Sequence, residues 1–299
     1  MSWRIINVSN EAYVSLRQEQ LVLKQEDEHT IPLEDIGVLL LESRAILVST
    51  ALLDACVRHK IAVFVCDEKH LPSGILLGYQ QHSRQVKVIE KQLAWAEPFK
   101  KRLWQNIIRQ KIKNQQTVLE KLAGKEFPDF EIYASSVNSG DTLNREATAA
   151  RAYFSALLPS GLTRKSDDLM NSALNYGYAI LRGSLARSIV AYGFLSSFGI
   201  KHASELNNFN LADDLIEPYR PILDLLVHRE IIPFGTREIQ AENELTKENR
   251  AKILGILTEP VFLDGEQTAL HAMEMTAQSL VTATEQKDSE LIKLPKILI

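Results

Sequence analysis

The sequence predicts an α+β protein: a small, mostly antiparallel β domain over residues 1–78, a connector over 79–95, and a larger all-α domain over 96–299. Three observations predict it. Short runs rich in β-branched and apolar residues crowd the first 78 positions, with polar turn residues between them. These runs lie too close together to alternate with crossover helices, which favours antiparallel pairing. From Pro98 onward the apolar spacing changes to the three- and four-residue steps of a helix.

Taken in order, Ile5–Val8, Tyr13–Leu16, Gln20–Leu23, Ile36–Leu40 and Ala62–Val65 read as strands. Ser49–His59 reads as one short helix, with Ser49 or Thr50 as its cap. The polar stretch around His82 reads as the connector. Pro98 suits the first turn of a helix in which Phe99, Leu103, Ile107, Ile108 and Ile112 recur on one face, and Gly124 marks its end. Asp141 can cap a helix that carries Glu146 and stops at Pro159. Ser166 or Asp167 can cap a long apolar helix running to Gly199. Pro218 and Pro221 force a bend around Glu217. Asp264 can cap a helix through Thr284, and an apolar tail with two lysines follows from Leu291. There is no internal repeat and no low-complexity stretch.

The composition, 45% hydrophobic and 24% charged over 299 residues, is that of a globular protein with ample core material. Cys56 and Cys66 lie in apolar sequence and read as buried thiols, not a disulfide framework. The first residues lack an apolar signal region behind a basic cluster, and the longest apolar tract, Ala173–Phe198, carries Arg182 and Arg187. Both point to a cytoplasmic protein without a membrane span. Net charge is −4, but it is segregated: residues 85–125 hold ten cations against three anions, a net of +7 set in a remainder of −11. Lys100, Lys101, Arg102, Arg109, Lys111 and Lys113 share one helix with Trp104. Such a helix can bury one side and offer the other to phosphates, though a solvated surface helix is the plainer reading.

The chemistry concentrates in Glu146, His202 and Glu217. Two carboxylates and one imidazole can hold a divalent cation with water positions left open. An acid one turn into a helix is ordinarily a favourable charge placement, and a lone histidine is ordinarily a packed or surface group. Asp214 and Glu217, three apart, share a helix face, and Asp213, four before Glu217, competes for the same role, so their repulsion calls for a cation, or for Arg220, between them. Oxygen-rich ligation suits Mg²⁺ or Mn²⁺, and one imidazole tilts the balance toward Mn²⁺. A closed zinc site does not fit, since both cysteines lie in the β domain. His271 with Glu274 and His228 with Glu230 have no third neighbour in sequence and read as structural. Asn171 and Asn175 form a polar stripe with Arg182 on an otherwise apolar helix, and Tyr153 and Tyr176 are candidate phenol donors.

Three segments, Glu146–Phe154, Asp168–Tyr178 and Gly199–Pro221, resemble the CRISPR adaptation integrase family, the CRISPR-associated endonuclease of spacer acquisition. The last of them looks most like its type II form. Ala147 stands where the family often has Gly, and Glu217 where many relatives have Asp. The resemblance implies Glu146, His202 and Glu217 as catalytic metal ligands and Asp214 as an accessory acid. It also implies that the stripe of Asn171, Asn175 and Arg182 supports the site or touches DNA, with Tyr176 as an accessory residue.

The implied reaction is attack by the 3′-hydroxyl of a captured DNA fragment on a phosphodiester of a CRISPR repeat; water in its place gives nuclease activity. The implied partners are double-stranded DNA, a second copy of the chain joined through the β domain, and the small CRISPR-associated protein two. In type II systems the RNA-guided effector nuclease joins them. The alternatives are a catalytically inactive DNA-binding scaffold of the same fold and a metal-dependent hydrolase of small phosphoesters, the latter disfavoured by the basic helix.

Overall fold

The computed structural model describes residues 4–79, 82–159, 161–236 and 244–298. Its N-terminal part holds β1 (Arg4–Val8), β2 (Ala12–Arg17), β3 (Gln20–Lys24), β4 (Glu28–Pro32), β5 (Ile36–Leu41), β6 (Ile46–Val48), α1 (Thr50–Arg58), β7 (Ala62–Cys66) and β8 (Pro72–Leu76). The eight strands form two four-stranded sheets, ordered β1-β5-β7-β8 and β4-β3-β2-β6.

The expected antiparallel pairing holds for β2–β3, β3–β4 and β7–β8. It gives way where β1 pairs with β5, β5 with β7 and β2 with β6, all parallel. Every residue of β5 is buried, the mark of a strand covered on both faces. The crossover from β5 to β7 is α1, and the β2–β4 meander, in the other sheet, supplies the one from β1 to β5. Side chains of β5 and β7 alternate between two cores. Leu39, Leu41 and Val63 face a small core with Leu52, Ala55 and the buried free thiol of Cys56. Val38, Leu40, Ala62 and Phe64 join the large core of the helical part. Cys66 is half-buried, not fully buried as its setting suggested, because it ends β7 at a register shift.

The helical part holds α2 (Gln85–Leu93), α3 (Glu97–Ala123), α4 (Pro128–Ser135), α5 (Arg145–Leu157), α6 (Leu169–Ala191), α7 (Asn210–Leu215), α8 (Arg220–Glu230), α9 (Lys247–Leu254) and α10 (Ala269–Gln286). A three-stranded sheet of β9 (Pro260–Phe262), β10 (Glu266–Thr268) and the C-terminal β11 (Lys296–Ile297) closes it. Among the described residues no helix is long and apolar enough to cross a membrane.

Several expected boundaries move. Part of the connector is α2: the buried Gln92 accepts from the Leu195 N–H at 2.9 Å and donates to the Leu195 and Phe198 carbonyls at 2.9 and 2.8 Å. A polar side chain turned inward hides the helical period. The cap of α6 is Asp168, whose carboxylate accepts from the Asn171 N–H at 2.9 Å, and α6 stops at Ala191 because Gly193 takes φ 88°. α10 is capped by Thr268 instead of Asp264. The long α3 ends at Gly124 with φ 64°, as its spacing predicts.

Candidate active site

Four elements converge: α3, the start of α5, the turn after Gly199, and the break between α7 and α8. The first turn of α5 is held by Asp141, whose carboxylate accepts the N–H groups of Arg145 at 2.8 Å and Glu146 at 3.0 Å. This places Glu146 beside α3, where Lys111 Nζ donates to its Oε1 at 2.7 Å. The same Nζ lies 2.5 Å from Oε2 of Glu217. One ammonium at 2.7 and 2.5 Å from the two oxygens brings them within roughly 5 Å of each other, across 71 positions of sequence.

Glu217 sits in the α7–α8 break, where Pro218 prevents a continuous helix. Only 3% of its side chain is exposed. Arg220 approaches its Oε1 at 3.2 Å. Burial pushes the Glu217 carboxyl up, but the charges of Lys111 and Arg220 outweigh this and hold it below the usual carboxylate range. Oε2 of Glu217 is buried and faces the Lys111 ammonium.

His202 is oriented by Asp214. That buried carboxylate accepts the His202 ring Nδ1 at 2.7 Å and the backbone N–H groups of Ile200, Lys201 and His202 at 2.5, 3.0 and 3.1 Å. With Nδ1 taken, Nε2 is the ring nitrogen left for a ligand. The bond to Asp214 raises the His202 pKa against the effect of burial. Trp104 of α3 meets the ring edge-on at 5.9 Å. Gly199 is required here: a Cβ would strike the His202 carbonyl and stand 2.7 Å from Asp214 Oδ2. The charge of His202 also lowers the Glu217 pKa, by less than Lys111 and Arg220 do.

The polar stripe of α6 holds an arginine. Asn171 accepts from Arg164 and donates to Asp168 at 2.6 Å, while Asn175 accepts from Arg164 at 2.9 Å. Arg164 lies over the rings of Phe154 and Tyr178, and Arg220 lies over Tyr178 at 5.1 Å. The Tyr178 and Tyr153 hydroxyls donate to the buried Asp224 at 2.6 and 2.8 Å. The stripe therefore reaches Glu217 through Arg164, Tyr178 and Arg220.

Two expectations are corrected. Tyr176 is buried, its hydroxyl has no hydrogen-bond partner among the described residues, and Tyr178 is the tyrosine that meets Arg164, Arg220 and Asp224. Tyr178 is seven residues after Asn171 and three after Asn175, which sets all three on one helix face. Lys111 does not share the outer face of α3 with its basic neighbours. It lies among the inward positions Ile107, Ile108 and Ile112, is 8% exposed, and meets carboxylates. Lys101, Arg102 and Lys113 are exposed. Lys100 is half-buried beside Glu97, and Arg109 donates to the Val137 carbonyl at 2.9 Å. Neither Arg164, Tyr178 nor Asp224 carries a signal on its own in sequence; the seven-residue repeat on α6 was the one clue to Tyr178.

Residues 5–257 match the family described as CRISPR associated protein Cas1. The chain is 41% identical over 304 residues to the CRISPR-associated endonuclease Cas1 of Neisseria meningitidis serogroup C (strain 8013), covering 100% of this chain and 97% of the relative. In structure it resembles a casposase bound to integration product, with TM-score 0.72 and 17% identity over 96% of this chain and 91% of the other. It also resembles a chain of a Cas6-RT-Cas1–Cas2 complex, with TM-score 0.74 and 22% identity over 100% of this chain and 37% of that longer one.

Proposed function

The chain belongs to the family of CRISPR-associated protein Cas1, and we propose that it is a metal-dependent DNA endonuclease and integrase that inserts captured fragments into a CRISPR array. The observation that carries the reading is the meeting of Glu146 and Glu217, from separate elements, on one cationic position, with the charge of a carboxylate-held His202 acting on Glu217.

The donor set fits a hard divalent cation: two carboxylates whose oxygens meet at one cationic position, and an imidazole presenting Nε2. Among the described residues no three His, Cys, Asp or Glu side chains are gathered tightly enough to enclose an ion as they stand, and Lys111 fills the position between the carboxylates. Glu146, Glu217 and His202 would hold Mg²⁺ or Mn²⁺, which supplies a Lewis acid for an oxygen nucleophile and for phosphate charge.

The chain's own groups do the rest. Asp214 fixes the imidazole in the tautomer that frees Nε2. Arg220 and Arg164 place two guanidinium groups on the Tyr178 side of the site, where they can hold phosphate oxygens. Lys101, Arg102 and Lys113 offer exposed charge on α3 for further backbone phosphates. In the joining step the 3′-oxygen of the fragment forms a bond to phosphorus as the repeat's own 3′-oxygen leaves. The number of phosphodiester bonds is conserved, so no high-energy cofactor is needed.

The partners we propose are double-stranded DNA, a second copy of the chain, a Cas2 protein and, in a type II setting, the RNA-guided effector nuclease. The casposase with its integration product and the complex containing Cas1 and Cas2 support the first and third. A neighbouring pair of exposed apolar side chains, Tyr13 on β2 and Leu47 on β6, supports an interface on the β domain.

The test is a half-site integration assay with the purified chain and its small partner, in Mg²⁺, Mn²⁺ or EDTA. Glu146→Ala and His202→Ala each lose joining by about 10²-fold or more while fragment binding persists. Joining retained by either variant, or undiminished in EDTA, contradicts the reading. A wild-type chain that binds DNA but never joins it is the inactive scaffold.

A further inference from the structure

We propose that Lys111 is a built-in counter-cation that stands where a divalent ion would bridge Glu146 and Glu217, and that an entering ion must displace it. The inference rests on the metal-dependent reading above.

Lys111 is placed as a bridging ion would be. Its Nζ contacts one oxygen of each carboxylate, at 2.7 and 2.5 Å, and it is the one cation among the described residues that reaches both. Arg220 reaches only Glu217, on the other oxygen. Metal–oxygen bonds of about 2.0–2.6 Å would set the ion almost on top of the ammonium. The two charges cannot share that position, so loading the site obliges Nζ to withdraw. The lysine stem is flexible enough for this, and the site opens toward solvent on the sides of Glu146, 28% exposed, and His202, 47% exposed.

Lys111 thus does two things. It holds the carboxylates of α5 and of the α7–α8 break together before any ion arrives, and it raises the ion concentration at which the site loads. His202 is independent of it, since Asp214 orients the ring.

The test is calorimetric titration of Mn²⁺ into the full chain, with unfolding midpoints recorded with and without the ion. The variants are Lys111→Gln, Lys111→Arg and, as a control on an exposed lysine of the same helix, Lys121→Gln. Lys111→Gln lowers the ion-free midpoint, tightens Mn²⁺ binding on the order of tenfold, and shows a larger Mn²⁺-induced rise in midpoint than wild type. Lys111→Arg weakens Mn²⁺ binding, because the guanidinium fork grips both carboxylates more firmly. Lys121→Gln matches wild type. Equal affinity in wild type and either Lys111 variant overturns the proposal, as does weaker binding in Lys111→Gln. Should Lys111→Gln not fold, the Lys111→Arg titration decides alone. Failure of every chain, wild type included, to take up Mn²⁺ contradicts the metal reading of the site itself.

Discussion

Asp214 is fully buried and gives its two oxygens to three backbone N–H groups and one imidazole nitrogen, so the turn at Gly199–His202 is built around a single carboxylate. Asp214→Asn turns half of that acceptor into a donor facing donors. We expect a loss of about 2–3 kcal/mol in denaturant unfolding and about 10–100-fold in DNA joining, with DNA binding unchanged. Normal joining in this variant would remove Asp214 from the account. Asp224 provides a second residue-level prediction. Burial raises its pKa from 3.8 to about 6, against the Tyr178 and Tyr153 hydroxyls that favour its charged form. Between those values the folded chain keeps a proton that the unfolded chain has released, so stability falls as pH rises through the window, by roughly 2–3 kcal/mol in all. Asp224→Asn should flatten the dependence of the unfolding midpoint on pH between about 4 and 6; an unchanged slope would contradict the assignment. Glu146, His202 and Glu217 were singled out in sequence because flanking residues carried a family resemblance. The inward turn of Lys111 was not, since a lysine beside other lysines on a helix reads as surface until two distant carboxylates are seen to meet it.

At the scale of elements, α6 is the pivot. It packs on the first sheet at Gly183 and on α8 at Gly177, where a Cβ would collide with Phe64 and Leu223 respectively. These close approaches fix the stripe of Asn171, Asn175 and Tyr178 relative to Glu217. Gly183→Ala should cost about 1–3 kcal/mol through overpacking, read as a lower denaturation midpoint with an unchanged denaturant slope; a neutral result would mean that Phe64 rotates freely aside. The sequence pattern located α1, α3 and α5 closely because caps and stops were explicit: Ser49 accepts from Leu52 N–H, Gly124 takes a left-handed turn, and Asp141 holds the first N–H groups of α5. It misplaced the end of α6 because Gly193 and Gly199 are equally plausible stops, and only the backbone at Gly193 has positive φ. It missed the edge strands β4, β6 and β8, and β9, β10 and β11 within a part expected to be all-α, because strands of two to five residues lack a strong apolar period.

At the scale of the molecule, the strands of the N-terminal part and the helices share one apolar core through Val38, Leu40, Ala62 and Phe64, so the site is braced from the β side as well as by α3 and α8. The order of parts, β first and helices after, was legible from the change in periodicity near Pro98. The parallel pairing of β1, β5 and β7 was not, since it depends on a crossover that runs through a second sheet. The charge segregation has a structural counterpart: acids gather around Lys111 and Arg220 at the site, while Lys101, Arg102 and Lys113 face outward on the same long helix. The central claim is that Glu146, His202 and Glu217 take up one shared divalent ion. A crystal of the chain grown with Mn²⁺ and measured at the manganese absorption edge tests it most directly. The account predicts one anomalous peak within about 2.0–2.6 Å of both carboxylates and His202 Nε2, with Lys111 moved out of their midst. A saturated crystal with the peak elsewhere, or with none and Lys111 still between the carboxylates, would contradict it.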